Sequence, residues 1–252
     1  MAESLKDRVA IITGAGQGIG RAFAKAFASE GAIPVIAERN AERADAVAAE
    51  IVAANGRARA IVTDVADPDS VAAMAKQVEA EFGRIDILIN NAAIFSTLEM
   101  RPFDQIPLAE WEDVLRVNVT GAFLCARAVV GAMRRAKWGR IINMASGAVT
   151  LGRPNYLHYI ASKAALDGMT RSLARELGHG ITVNAILPGA TFTEIERKTV
   201  TPEQKERIVA MQCISRPEGP ADLVGTALFL ASDASAFLTG QAITVDGGAT
   251  HP

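Results

Sequence analysis

Apolar runs of strand length alternate with stretches of helical periodicity from one end of this chain to the other, and few folds accommodate that order. The runs are Val9 to Ile12, Ile33 to Ala37, Ala58 to Thr63, Ile85 to Asn90, Gly139 to Ala145, Ile181 to Ile186 and Ala242 to Val245. They read as near-continuous Ile, Val and Leu, as strands do when both faces are covered. Helical stretches fall near 18–30, 41–54, 68–82, 108–136, 156–178 and 220–232, and Asp67-Pro68 reads as an N-cap followed by proline at the first helical position. The pattern predicts an α/β fold: a Rossmann-like, doubly wound parallel sheet of about seven strands with helices on both faces. No repeat, low-complexity tract or compositional break marks a linker, and 252 residues with 50% hydrophobic side chains suit one core, so a single domain is expected over 1–252.

In open sheets of this kind ligands sit beyond the carboxyl ends of the strands. Thr13, Gly14, Gly18, Ile19 and Gly20 follow the first strand in a G-x-x-x-G-x-G loop that leads into a helix rich in Ala and Phe. Glycines there permit a tight turn and close backbone approach, and the exposed amides of the helix start suit a pyrophosphate. The second strand ends in Glu38, close to the offset of about 20 residues at which a carboxylate accepts ribose hydroxyls of NAD. Asp64-Val65, Asn90 to Ala93, Ser146 and Leu187 to Gly189 fall at other strand ends.

A proton-transfer site is written in Tyr159 and Lys163. Positions i and i+4 share a helix face, so the ammonium can lie beside the phenol and favour its ionised form. A phenol that ordinarily ionises near pH 10 then becomes usable at neutral pH. Ser146, thirteen residues upstream and before the turn from Gly147 to Gly152, can hydrogen-bond the same substrate oxygen. Tyr156 faces roughly the same way but suits the pocket wall, with Ile94, Phe95, Leu151 and Ala190. His158 is out of phase with Lys163 and is expected at a surface or interface.

The net charge of −2 gives no reason to invoke nucleic acid or an anionic membrane. Residues 1–7 lack a signal-peptide core, and no run approaches the roughly 20 apolar residues of a membrane span. Cys125 and Cys213 have no metal-ligand or C-x-x-C spacing; no metal is expected, Cys125 reads as a small buried hydrophobe, and a reducing cytoplasmic compartment is the natural setting.

Together these motifs resemble the short-chain dehydrogenase/reductase family, in its subclass of about this length. The resemblance spans essentially all 252 residues: Thr13-Gly14-x-x-x-Gly18-Ile19-Gly20, Asp64, Asn90-Asn91-Ala92, Asn118, Ser146, Tyr159-x-x-x-Lys163, Pro188-Gly189 and Val245-Asp246-Gly247-Gly248. It implies that Tyr159 is the general acid/base, that Ser146 orients the substrate oxygen, that Lys163 lowers the phenol pKa and binds the nicotinamide ribose, and that Asn118 holds a water leading to solvent. Cofactor contacts are implied at Gly14, Gln17, Gly18, Ile19, Gly20, Glu38, Arg39, Asp64, Val65, Asn91, Ala92, Ala93, Tyr159, Lys163, Pro188, Gly189, Thr191 and Thr193. Substrate contacts are implied at Ser146, Ala148, Tyr156, Tyr159, Ile94, Phe95, Leu151 and Ala190. The segment 190–215, including Glu194, Glu196, Arg197 and Lys198, corresponds to a substrate lid, and a homotetramer is implied through the helices around 108–136 and 156–178 and the last strand.

The expected activity is hydride transfer between a nicotinamide and a secondary alcohol or ketone, with NAD favoured over NADP because Glu38 repels a 2′-phosphate, although Arg39 beside it is the residue type that holds one. Where the family usually has Asn-Asn-Ala-Gly this chain has Ala93, whose methyl can crowd the ribose. Alternatives are an NADP-dependent 3-oxoacyl-[acyl-carrier-protein] reductase, suggested by the basic run Arg134, Arg135, Lys137 and Arg140, and a catalytically silent nucleotide-binding regulator. A non-redox enzyme on the same fold, such as a dehalogenase, tends to lose the glycine loop, which is present here.

Overall fold

The computed structural model describes residues 4–195 and 200–250. Among them, seven strands form one parallel sheet: β1 Val9–Thr13, β2 Ile33–Glu38, β3 Arg59–Val62, β4 Ile87–Asn90, β5 Gly139–Met144, β6 Ile181–Pro188 and β7 Ala242–Val245. Their order is β3-β2-β1-β4-β5-β6-β7, so the chain reverses direction across the sheet between β1 and β4. Ile11 of β1 lies opposite Val35 on one side and Leu88 on the other.

Alternation along each strand feeds two cores. Val9 and Ile11 join Val35, Leu88, Ile141 and Val183 on one face; Ala10 and Ile12 join Ile36, Ile87, Ile89 and Ile142 on the other. The helices are α1 Gly18–Ser29, α2 Ala41–Ala53, α3 Pro68–Phe82, α4 Leu108–Leu115, α5 Gly121–Ala136, α6 Ala148–Leu151, α7 Leu157–Leu177, α8 Pro202–Ala210 and α9 Pro220–Ala231. α3, α5 and α7 cover the first face through Val71, Met74, Val78, Val129, Met133 and Leu177; α1, α2 and α9 cover the second through Phe23, Phe27, Val47, Ile51, Leu223 and Leu230. Each such side chain contributes roughly 1.5–3 kcal/mol on burial.

Helix ends follow the local sequence. The Asp67 carboxylate accepts from the Asp69 amide at 3.0 Å with Pro68 next to it, and Thr201 and Gln204 form a reciprocal capping box at α8. β4 begins two residues later than the apolar run because Asp86 is fully buried: its carboxylate accepts from the Val9 amide at 2.9 Å and pairs with Arg8 and Arg84.

Two expectations are revised in the helix near 108–136. It is continuous but not uniform: α4 and α5 are joined by a π-helical turn, Arg116–Thr120. At 29 residues, Leu108–Ala136 is also long and apolar enough to cross a membrane by length and composition, contrary to the reading that no run qualifies. Its residues Leu124, Cys125, Val129 and Met133 pack in the core beneath the sheet, the setting of a core helix. The basic run is divided: Arg134, Arg135 and Lys137 are exposed, with Arg135 paired to Glu79, whereas Arg140 is buried with its guanidinium 4.2 Å from the Trp138 ring centroid and 3.0 Å from Asp233. His158, expected at a surface, is fully buried with Nε2 3.3 Å from Glu110 Oε1, because the α4 face closes over the first turn of α7.

Candidate active site

The strand C-termini open onto a cavity of about 1100 Å³. Of the cofactor and substrate positions read from the sequence, all line it except Gly20; Asn118 lies behind its wall. Gly20 has a packing reason to be glycine, since a Cβ there would meet the Gly14 carbonyl oxygen at 2.5 Å and Asn91 Nδ2 at 2.6 Å. Of the expected lid, positions 196–199, which include Glu196, Arg197 and Lys198, lie outside the described residues.

At one end the glycine loop turns through Gly14 and Gly18, both with positive φ (63° and 57°). Thr13 Oγ1 accepts from the amides of Asn91 and Ala92 at 3.0 Å, and Asn91 Nδ2 donates to the Thr13 carbonyl at 2.9 Å, so the ends of β1 and β4 are locked together at the switch in strand order. Helix α1 starts at Gly18 without a side-chain cap from Gln17, leaving its first amides to outside acceptors. One acceptor comes from the segment after β6: Glu194 Oε1 takes the Gly18 N–H at 2.8 Å.

Glu38 closes the next stretch. It is buried, with Oε1 accepting from the Asn40 amide at 3.1 Å, and its Cγ lies where a Cβ on Gly16 would approach to 2.8 Å. Arg39 lines the cavity beside it, and so does Arg43, a second cation in the first turn of α2 that the sequence reading missed. Asp64 serves its own turn, accepting from the Ala66 amide at 2.9 Å, while still facing the cavity. Ala93 is not among the residues with positive φ, so its methyl brings no backbone strain.

At the other end stand Ser146, Tyr159 and Lys163, all at least nine-tenths buried. Ser146 Oγ accepts from the Ala148 amide at 3.2 Å, which fixes it at the start of α6. Phe95 packs on Tyr159 with ring centroids 4.4 Å apart and on Tyr156 at 5.9 Å. Lys163 Nζ lies 5.8 Å from the Tyr159 ring centroid and donates to the Met144 carbonyl at 2.6 Å. Burial pushes its ammonium down to about 8.

Asn118 sits at the centre of the π-helical turn. Its Oδ1 accepts from the Ile94 amide at 2.8 Å and its Nδ2 donates to Ser162 Oγ at 3.0 Å; Ser162 in turn donates to the Tyr159 carbonyl at 2.7 Å. These bonds run to the residue before Lys163 and to the Tyr159 backbone. Single-turn π segments of this kind recur at functional sites.

The turn after β6 completes the wall. The Gly147 amide donates to the Pro188 carbonyl at 2.9 Å, which holds Pro188, Gly189 and Ala190 beside Ser146. Thr191, read as a cofactor contact, is 1% exposed and its hydroxyl proton already goes to Glu218 Oε1 at 2.6 Å. Glu218 carried no signal in the sequence reading, because nothing in its spacing ties it to the turn 27 residues earlier. Among the described residues no group of three His, Cys, Asp or Glu side chains is placed to hold a metal.

The residues fit a nicotinamide dinucleotide on structural grounds: glycines where a Cβ would fill the cradle, uncapped helix amides, and a buried cation beside a phenol. Fold and site together define a dinucleotide-dependent oxidoreductase of the doubly wound class. A family model described as Enoyl-(Acyl carrier protein) reductase matches residues 14–250. D-threitol dehydrogenase of Mycolicibacterium smegmatis is 39% identical over 247 residues, 98% of this chain and 94% of that one. A Brucella melitensis 3-ketoacyl-(acyl-carrier-protein) reductase solved with NADH superposes with a TM-score of 0.91 at 33% identity, covering 98% of this chain and all of that one. A Beutenbergia cavernae structure, provisionally assigned as an NAD(P) dependent gluconate 5-dehydrogenase with NADP at low occupancy, gives 0.91 at 38% identity and covers 98% of each chain. The chain belongs to the short-chain dehydrogenase/reductase family and is an alcohol/carbonyl oxidoreductase that uses a nicotinamide cofactor.

Proposed function

We propose that the protein is an NAD-dependent dehydrogenase of a small secondary alcohol, with Tyr159 as general acid/base, Ser146 as clamp on the reacting oxygen and Lys163 as the cation that favours the phenolate. The observation that carries this is one continuous cavity with Glu38 at its adenosine end and Ser146, Tyr159 and Lys163 at the other. When bound, the nicotinamide supplies the hydride acceptor or donor. Gly14, Gly18, Ile19 and the α1 amides hold the pyrophosphate, Asp64 and Val65 the adenine, and Lys163 the nicotinamide ribose. In the oxidation direction Tyr159 phenolate takes the hydroxyl proton while Ser146 keeps the oxygen in place; in reduction the phenol returns it. Asn118, bonded to Ile94 and Ser162, fixes the strand-end loop against the first turns of α7, which sets where Tyr159 stands.

Glu38 supports NAD, since its carboxylate occupies the ground a 2′-phosphate needs; Arg39 and Arg43 temper that preference. The walls near Tyr159, including Ile94, Phe95, Leu151 and Tyr156, suit an uncharged or weakly polar substrate. A second reading, a 3-oxoacyl thioester reductase, gains support from Arg153 and Arg207 in the same cavity. A homotetramer is in keeping with the half-buried edge strand β7 and with Phe123 exposed on α5. Both cysteines are free, as suits a cytoplasmic enzyme.

A panel of secondary alcohols, polyols and a 3-oxoacyl thioester, assayed with both cofactors by nicotinamide absorbance, tests this. Turnover of an alcohol with NAD is expected. Activity confined to the thioester with NADPH would overturn it in favour of the second reading.

A further inference from the structure

Two carboxylates stand behind the turn that follows β6, and they are not equivalent. Asp246, after β7, is saturated: it accepts from the amides of Gly248 (2.9 Å), Ala249 (3.2 Å) and Thr250 (2.9 Å) and from the Thr250 hydroxyl (2.7 Å). Glu218, on the segment leading into α9, is 5% exposed and accepts from Thr191 Oγ1; its buried Oε2 has no hydrogen-bond partner among the described residues. The Gly189 amide lies beside it but donates to the Val245 carbonyl at 2.9 Å. A Cβ on Gly189 would meet Oε2 at 2.5 Å, so the missing side chain is what lets the carboxylate press against the turn. Arg216, two residues earlier, directs its hydrogen bonds to Asp222, with contacts of 2.8 and 2.5 Å.

Among the described residues, Glu218 is therefore a buried carboxylate with one oxygen lacking a hydrogen-bond partner, directly behind Gly189 and Thr191. Those residues share the cavity wall with Ser146, to which the Gly147 to Pro188 hydrogen bond ties them. A nicotinamide ring that reaches from the glycine loop to the reacting oxygen has to lie against this wall. The ring is a cation when oxidised and neutral when reduced, so a fixed anion nearby discriminates between the two forms.

We propose that Glu218 is a specificity-determining residue that, when ionised, biases the site toward the oxidised cofactor, and so toward alcohol oxidation, from its position behind the Gly189–Thr191 turn. This rests on the assignment of the cavity to a nicotinamide cofactor. Desolvation, which raises the carboxyl pKa of Glu218 and outweighs the Thr191 bond that lowers it, argues for testing the charge in alkaline buffer.

The experiment is titration of NAD and of NADH into wild type, Glu218→Gln and Glu218→Ala at about pH 9, read by calorimetry or by NADH fluorescence, with far-UV circular dichroism to select folded protein. Both variants are expected to lower the affinity for NAD relative to NADH by about fivefold or more. The ratio is the readout because a merely structural role for Glu218 would weaken both forms alike. Either folded variant moving the ratio as expected supports the proposal. A ratio unchanged in the folded variants, or neither variant folding, a sign that the carboxylate is a structural strut, overturns it while leaving the nicotinamide assignment standing. Failure of wild type to bind either form would overturn both.

Discussion

Lys163 Nζ donates to the Met144 carbonyl at 2.6 Å while standing 5.8 Å from the Tyr159 ring centroid, so one buried cation joins the end of β5 to the phenol on α7. The hydrogen bond fixes the ammonium, and burial pushes it from 10.5 down to about 8. A cation held this way is expensive for the fold. The proposed role beside the phenol gives that cost a purpose.

The stability consequence has a definite sign. Unfolded Lys163 keeps its proton to about pH 10.5 and the folded residue gives it up near 8, so the cost of the buried cation is complete below about pH 8 and is relieved as the pH rises toward 10.5. Lys163→Met removes that cost and also the Met144 hydrogen bond, which is independent of pH over the lower range. Thermal melts of both proteins should therefore show the variant at its relative best at neutral pH, with its Tm losing ground to wild type between about pH 8 and 10. A Tm difference that does not vary with pH would contradict the account of Lys163.

The proposed preference for NAD rests on Glu38, with Arg39 and Arg43 beside it in the cavity. Glu38→Gln keeps an acceptor for the Asn40 amide and removes the charge that opposes a 2′-phosphate. The NADP to NAD affinity ratio should rise by about fivefold or more, measured by fluorescence titration of the reduced forms. An unchanged ratio would remove Glu38 from the adenosine end.

Glu194 Oε1 holds the Gly18 N–H at 2.8 Å, at the end of α1 where a pyrophosphate would bind. An anion at a helix start is favourable, so the Glu194 carboxylate would compete with the cofactor for the same amides. Glu194→Ala should tighten binding of both NAD and NADH by about two- to fivefold in calorimetric titrations. Weaker binding would mean that Glu194 assists the loaded state instead.

The alternation of strands and helices was legible because period 2 and period 3.6 leave different apolar patterns, and the glycine loop because glycine has so few reasons to cluster at a strand end. Ser146, Tyr159 and Lys163 were legible through a single helical spacing and a strand end. What was hidden depends on contacts across long loops. Glu218 meets Thr191, Glu194 meets Gly18 and Glu110 meets His158 only after the chain has folded, and none of these pairs has a periodic spacing to announce it. The π-helical turn at Arg116–Thr120 was invisible for another reason: Asn118 has ordinary neighbours, and the wider turn appears as its amide ties Ile94 to Ser162.

The most direct test of the central claim is Tyr159→Phe, assayed for NAD binding and for alcohol oxidation with whichever substrate the panel identifies. Phenylalanine keeps the ring against Phe95 and removes only the hydroxyl. The account predicts NAD affinity within about threefold of wild type and turnover lower by at least about 10², the range expected for loss of a positioned acid/base. Turnover near the wild-type value, with cofactor binding intact, would contradict it.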